Sequence, residues 1–458
     1  MVDLLRLEGV KATDYRSENG YAIITVQPTG EELTTCPKCG GHLYKHGVRK
    51  NLFSDTPMQM QPVKIEVKRQ RYRCSNCKSM ITPELSFINE KRRSTDRLIK
   101  EIRRLCLDRT FTQIAEDMGV VVNTVKNITI DYIKELEQNV RFETPTIMGV
   151  DELKLMGTFR CVITNLSMNS LYDMLPGRTQ DKLIPYFQNL PDREKVEWIC
   201  TDMWRPFKKS FFPHLPNAKL VIDKFHVVRM ANVAMEEERK AFQNTQSSEV
   251  RLKLKKNLRW VLVRRPDTLN ESQIETLEKM RTFFPKLTEA YDLKEEFFRI
   301  YDAHDKSEAI KRFQNWQQNI PKELLSFKGI ANTVNRHAED IFAYWDAPIK
   351  LTNAYTESHN GLIRVANRMG RGYSFDILRA KMLYNKVARN IATLNVPPIY
   401  IPADNSSMAR VITQESRKIE FGSHIPSLNE LYEPDEDDEM DDILSFDDWD
   451  FDVEASDQ

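Results

Sequence analysis

Cys36-Pro37-Lys38-Cys39 and Cys74-Ser75-Asn76-Cys77 are two CxxC pairs separated by 34 residues, so any fold in which they share a metal must bring two distant turns together. Each turn offers two thiolates, and two turns complete the tetrahedral four-thiolate set of a structural Zn2+. The intervening sequence supplies the means. Val63, Ile65 and Val67 alternate with Lys64, Glu66 and Lys68, the period-two pattern of a strand that runs on through Arg69, Arg71 and Arg73 into the second knuckle. Residues 36–88 therefore read as a zinc ribbon, preceded by a β segment at 1–35. His42 and His46 are alternative ligands by position, although four cysteines already suffice. Seven cysteines, an odd number, fit a metal site in a reducing compartment better than a disulfide framework.

Charge is unevenly distributed. The chain carries 67 basic and 67 acidic side chains over 458 residues, but residues 433–458 hold fourteen acids and no Lys or Arg, which leaves the first 432 residues at +14. Between Cys36 and Arg109 there are 18 basic and 7 acidic residues. That segment is the electrostatic centre for a polyanion, with Arg69, Arg71, Arg73 and the run Lys91-Arg92-Arg93 as phosphate-contact candidates. No apolar run approaches the length of about 18 residues needed to span a membrane, and MVDLLRLEG lacks the pattern of a signal peptide. Residues 396–432 read as a linker, and 433–458, with Phe446, Trp449 and Phe451 among the acids, as a disordered solvated tail.

After the basic run, Phe111, Ile114, Ala115 and Met118 fall on one helix face, Gly119 allows a tight turn, and Val122, Val125, Ile128 and Thr129 mark a second helix. Residues 89–142 thus carry helix-turn-helix patterning, with Asn123, Thr124, Lys126 and Asn127 as candidate groove-facing positions. An αα-hairpin without a DNA role has the same periodicity; the neighbouring ribbon and its charge favour DNA.

From Thr146 the pattern becomes α/β. Asp151 closes the apolar run Thr146–Val150, and Asp202 closes Val196–Thr201. A short apolar run ended by a carboxylate reads as a buried strand with an acid at its C-terminal lip, where ligands meet open α/β sheets. Phe159–Thr164 and Ser170–Leu175 read as two more strands, Gln180–Phe187 as a helix, and Lys219–Asp223 as a fifth strand. Three strands, helix, strand, helix, strand is the order of an RNase H-like sheet, in which the first and fourth strands are adjacent. Residues 226–345 are helical and charged, most basic at Arg251–Arg265. They form an all-helical insertion before the helical stretch Thr352–Arg364, where Glu357 and Arg364 share a face. Two strand acids and one helix acid can hold a pair of divalent cations about 3.5–4 Å apart for in-line displacement at phosphorus. Each acid alone can equally be a turn former or helix cap.

On the knuckles CPKC and CSNC, and on GVDE, TDMW, DKFH and TNAYTESHN, the chain resembles bacterial insertion-sequence transposases of the DDE class, in the subgroup with an N-terminal zinc ribbon, a helix-turn-helix segment and an RNase H-like catalytic domain with a helical insertion. The resemblance runs from Cys36 to about Val396. It implies a catalytic domain split into 145–225 and 346–395, with Asp151, Asp202 and Glu357 as the triad and Mg2+ or Mn2+ as cofactor. It further implies double-stranded element ends and target DNA as partners, a homo-oligomer in the active complex, and a cytoplasmic, nucleoid-associated location. Ser358 stands where related enzymes commonly have Gly. Asp223 is an accessory acid that either assists metal binding or caps the helix at Phe225, and Arg364 is an accessory phosphate ligand. Trp204 and Arg205 can stack on an unpaired base or pack in the core. An alternative is a zinc-ribbon and helix-turn-helix regulator whose nuclease domain is inactive. A third, an RNA-guided RuvC-type nuclease, typically has the ribbon inside the nuclease domain, whereas here it precedes it.

Overall fold

The computed structural model describes residues 5–30, 32–203, 205–211, 213–248, 251, 258–391 and 399–401, and these form two compact units. Trp204, residues 252–257 of the basic stretch Arg251–Arg265, nearly all of the linker and the acidic tail lie outside the described residues, as does the side chain of Arg205.

The first unit contains residues up to Glu143 together with His359–Ile401. Its strands β1 (Val10–Glu18), β2 (Tyr21–Pro28), β3 (Leu43–Met58), β4 (Gln61–Cys74), β5 (Met80–Ile81), β6 (Ile88–Asn89) and β7 (Ser94–Thr95) make one seven-stranded sheet, ordered β1-β2-β4-β3-β7-β6 with β5 on β4. The β segment expected as a separate piece at 1–35 is thus part of the ribbon's sheet, because β2 pairs in parallel with β4 from Ala22↔Val63 to Val26↔Val67. The long β3–β4 hairpin turns at Gln59 and Met60, both at positive φ, as a two-residue connection between twisted strands requires. Val26, Phe53, Val63, Ile65 and Val67 form its main core, and Cys36, Leu43, Tyr72 and Cys74 a smaller one at the knuckle end.

Helices α1 (Asp96–Leu105), α2 (Phe111–Met118) and α3 (Val122–Asn139) follow. Thr110 and Gln113 form a capping box at the start of α2, and Gly119 ends it in the left-handed conformation at φ 62°. Phe111, Ile114, Ala115, Val125, Ile128 and Thr129 are buried as the periodicity predicts, whereas Val122 opens α3 exposed. The helix Phe375–Ile391 packs in this unit. Lys381, buried, donates from Nζ to the carbonyls of Cys106 (2.5 Å) and Arg109 (2.9 Å), satisfying acceptors left free where α1 ends, and burial lowers its pKa to about 8. Arg379 pairs with Glu137, and β14 (Ile399–Ile401) pairs with β8 (Val140–Phe142).

The second unit, Thr144–Ser358 among the described residues, is built on a five-stranded mixed sheet. Strands β9 (Ile147–Leu155), β10 (Thr158–Asn165) and β11 (Ser170–Leu175) form an antiparallel meander; β12 (Trp198–Thr201) lies parallel to β9, and β13 (Lys219–Ile222) parallel to β12. The order β11-β10-β9-β12-β13 makes the first and fourth strands neighbours, as the sequence order implied. Helices α4 (Gln180–Gln188) and α5 (Arg205–Phe211) pack Leu183, Phe187, Phe207 and Phe211 under one face of the sheet. From α6 (Lys224–Asn244) to Trp345 the described residues are predominantly helical, around a core that includes Tyr291, Phe297, Trp316 and Phe327. Among the described residues no helix is long and apolar enough to cross a membrane.

Candidate metal centres and nucleic-acid interface

Register alone aligns three carboxylates. Val150 on β9 pairs with Thr201 on β12, and Thr201 pairs with Ile222 on β13. One residue further along each parallel strand come Asp151, Asp202 and Asp223, side by side across the sheet, with the Asp223 amide donating to the Thr201 carbonyl at 2.8 Å. The lip expected at Asp151 exists on one side only. There β12 has ended, but on the other side β9 runs on to Leu155, because Leu153 and Leu155 continue the buried alternation against β10. Asp151 is therefore inside a strand, held on a rigid backbone. The next acid, Glu152, is engaged in an ion pair with Arg178.

Glu357 reaches the same place from the helix Ala354–Gly370, whose start is fastened to the sheet. Asn353 Nδ2 donates to the Val150 carbonyl (3.1 Å), Thr356 Oγ1 lies 2.7 Å from Thr164 Oγ1, and both side chains are fully buried. Gly149 makes this approach feasible. A Cβ there would stand 2.5 Å from both Thr164 Oγ1 and Thr356 Oγ1 and 2.8 Å from Asn353 Oδ1. Gly149→Ala is expected to push the helix start off β9 and to destabilise this unit by about 1–3 kcal/mol, the usual cost of overpacking. Hydrogen exchange at the Glu357 amide, which donates to the Asn353 carbonyl, reports it directly; unchanged protection would show that the contact yields without cost.

His226, absent from the residues singled out in the sequence, joins these acids from the first turn of α6. One ring nitrogen and one oxygen each of Asp151 and Asp202 lie within 4.8 Å of one another, and His226 forms a second such group with Asp223 and Glu357. Asp223 fills the capping role, accepting from the Phe225 amide (3.4 Å), and its other oxygen is 3.4 Å from His226 Nδ1. Capping and membership of the acidic cluster are thus both true of it. Burial and the charges of Asp223 and Asp151 push the Glu357 carboxyl up to about 7, against the opposing pull of His226 and Arg229. Burial by itself would lower the His226 pKa, but the hydrogen bond to Asp223 and the charges of Asp223, Asp151 and Asp202 outweigh it and raise it to about 9. Carboxylates held this close to one another suit a cation.

The knuckles form a separate cluster. The sulfurs of Cys36, Cys39, Cys74 and Cys77 all lie within 4.8 Å of one another, at 3.8 Å for Cys36···Cys77 and 3.4 Å for Cys39···Cys74. Sulfurs about 2.3 Å from a tetrahedral Zn2+ stand about 3.8 Å apart, so the cage fits that ion. His42 and His46 are exposed and outside the cluster.

A family model described as transposase, of the ISL3 group of DDE enzymes, matches residues 148–382, just over half of the chain and all of the carboxylate cluster. The chain belongs to the ISL3 transposase family. Two further ISL3 models match in order: the zinc finger of transposases IS204/IS1001/IS1096/IS1165 over residues 32–77, and the helix-turn-helix domain over 83–133. The transposase for insertion sequence element IS1001 of Bordetella parapertussis is 22% identical over 375 residues, covering 80% of this chain and 91% of the relative. The transposase for IS1557 of Mycobacterium tuberculosis is 22% identical over 391 residues, covering 79% and 87%. This ISL3 protein is a DNA transposase, an enzyme acting on DNA through a zinc ribbon, a helix-turn-helix segment and a DDE domain.

Within the ISL3 protein's DNA-binding segments, the ten contact candidates differ in placement. Lys91, Arg93, Asn123 and Lys126 are exposed, and Arg71, Arg73, Thr124 and Asn127 are half-buried. Two depart from expectation. Arg69 is buried, pairs with Glu90 (2.5 Å) and covers the Phe53 ring, because it continues the inward face of Val63, Ile65 and Val67. Arg92 is held by two hydrogen bonds to Asp131 on α3, which spends its guanidinium on fixing the basic turn to the helix. Val121, 69% exposed near Asn123, is a surface residue that sequence reasoning passed over, and Val122, expected on the helix's apolar face, is 44% exposed. Arg364 is exposed on the part of its helix grouped with the first unit.

Proposed function

We propose that this transposase binds the terminal repeats of an insertion sequence and catalyses divalent-metal-dependent strand cleavage and strand transfer, with Asp151, Asp202 and Glu357 as the catalytic triad. The observation that carries the reading is the alignment of Asp151 and Asp202 on adjacent parallel strands with Glu357 delivered to them by a helix pinned at Asn353 and Thr356. The five-stranded order with its α4 and α5 connections supports an RNase H-like catalytic domain, interrupted by the helices between β13 and Glu357 as an insertion.

The donor set fits hard divalent cations, Mg2+ or Mn2+, because carboxylate oxygens dominate it. Bound there, such ions supply Lewis acidity, activating water and later a DNA 3′-OH and neutralising the leaving oxygen. The protein's own part is positional. Asp151 is fixed in the middle of a strand, Asp202 at the end of its neighbour, and Glu357 in the first turn of a fastened helix, so none has to be ordered when substrate arrives. Cys200, buried beneath, keeps its proton because burial and the charges of Asp223, Asp151 and Glu357 raise its pKa well above the ordinary value, so it adds no further charge. No side chain acts as a nucleophile in this scheme, and no covalent protein intermediate forms. Asp223 supports the centre, and Arg364 contacts phosphate.

Cys36, Cys39, Cys74 and Cys77 hold a structural Zn2+, and α3 enters the major groove with Asn123, Thr124, Lys126 and Asn127 at its leading end. Element ends and target DNA are the partners, and the active complex is a homo-oligomer that holds two ends. Incubating the protein with duplex element ends and Mg2+ and mapping new 3′-OH termini tests the whole reading. Specific end binding without any metal-dependent cleavage would identify a DNA-binding regulator with an inactive nuclease domain instead.

A further inference from the structure

We propose that His226 is a nitrogen ligand of the catalytic metal centre, held in its ligating orientation by Asp223; this rests on the reading of Asp151, Asp202 and Glu357 as the metal-binding carboxylates. His226 is the member common to both groups of potential ligands, one with Asp151 and Asp202 and the other with Asp223 and Glu357, each within 4.8 Å. Donors about 2.1 Å from one ion stand no more than about 4.2 Å apart, so a small side-chain adjustment brings His226 into coordination beside Asp151 and Asp202. Among the described residues no other histidine is grouped with these carboxylates.

The surroundings of the ring have the form that metal-bound imidazoles take. A ligating histidine usually gives its second ring N–H to a carboxylate, which fixes the tautomer and turns the other nitrogen to the metal. Here Asp223 Oδ2 is 3.4 Å from His226 Nδ1, and Asp223 is itself fully buried and anchored through its other oxygen to the Phe225 amide. Spacing explains the pairing. Asp223 caps α6 and His226 lies three residues on, so the two side chains meet over the first turn. One imidazole in an otherwise oxygen set also shifts the centre toward softer ions, and Mn2+ is expected to bind more tightly than Mg2+.

The test is pulsed electron paramagnetic resonance of Mn2+ bound to the full chain, with and without a duplex element end. The bound Mn2+ is expected to show coupling to a nitrogen nucleus that changes when the histidines carry ring 15N and disappears in His226→Gln. Asp223→Asn is expected to weaken Mn2+ binding by about 10- to 100-fold, the usual effect of losing such an outer partner. Asp151→Asn and Asp202→Asn define the site. If Mn2+ binding depends on those two acids yet shows no nitrogen coupling, or the coupling survives His226→Gln, the role of His226 is overturned and the triad stands. If Mn2+ binding is indifferent to Asp151 and Asp202, the triad reading fails. Should His226→Gln not fold, the 15N substitution in the unaltered chain still decides whether a histidine is a ligand.

Discussion

Asp151→Ala, Asp202→Ala and Glu357→Ala are each expected to abolish Mg2+-dependent cleavage of element ends while leaving end binding within about twofold. Metal-borne stabilisation of a phosphoryl-transfer transition state is worth several kcal/mol; at about 1.36 kcal/mol per tenfold, its loss lowers the rate by about 10³-fold or more. The binding surface is expected to survive because the ribbon and helix-turn-helix belong to the first unit, whereas these three acids belong to the second. Single-turnover cleavage of a labelled end duplex, beside a binding titration of the same variant, separates the two effects. A variant that cleaves normally removes its residue from the triad. A variant that loses binding as well would show that the acid supports folding, a risk greatest for Asp151 because it lies within a buried strand.

Stripping zinc is the second large perturbation. Structural zinc contributes about 10–16 kcal/mol of apparent binding free energy, comparable with the whole stability of a domain, about 5–15 kcal/mol. The two cores of the first unit localise the damage. At the knuckle end, among the described residues, the buried cluster is Cys36, Leu43, Tyr72 and Cys74, so this end is expected to unfold in the presence of a chelator or in Cys36→Ser and Cys74→Ser. Further along the hairpin, Phe53, Val63, Ile65 and Val67 pack with Val26 and hold the sheet without metal. Hydrogen exchange should therefore show lost protection over residues 43–48 and 70–74 and retained protection over 63–67. One zinc per freshly purified chain is the matching stoichiometry. Full protection at the knuckles after complete zinc removal would show that the cage is not what folds them.

Much of this protein is local in origin and therefore readable from its sequence. Knuckles, the helix caps at Thr110 and Asp223, the Gly119 turn and the alternation of the meander strands are short-range patterns, set by backbone geometry and side-chain period. Apolar runs ended by acids located Asp151 and Asp202, and helical spacing located Glu357. Where the reading went astray, a distant partner decided the outcome. Period-two spacing already put Arg69 on the face of Val63, Ile65 and Val67, but only the presence of Glu90 and Phe53 made an inward arginine stable. Leu153 and Leu155 carried β9 past Asp151 because β10 is there to pair with them. His226 gave a faint signal, a histidine three residues after an acid, and gained meaning only when β13 ended beside β12, which is itself paired with β9. Gly149 gave none, since the side chains that forbid a Cβ there come from residues 164, 353 and 356. The helix Phe375–Ile391 follows the same logic: its own sequence makes it a helix, but buried Lys381 meeting the open carbonyls at the end of α1 assigns it to the first unit. Sequence determined the elements and the residue types able to bind DNA, zinc and a catalytic cation. Tertiary structure decided which of them face one another, because contacts such as Asn353 to Val150 and Thr356 to Thr164 depend on strand register and packing rather than on any local pattern.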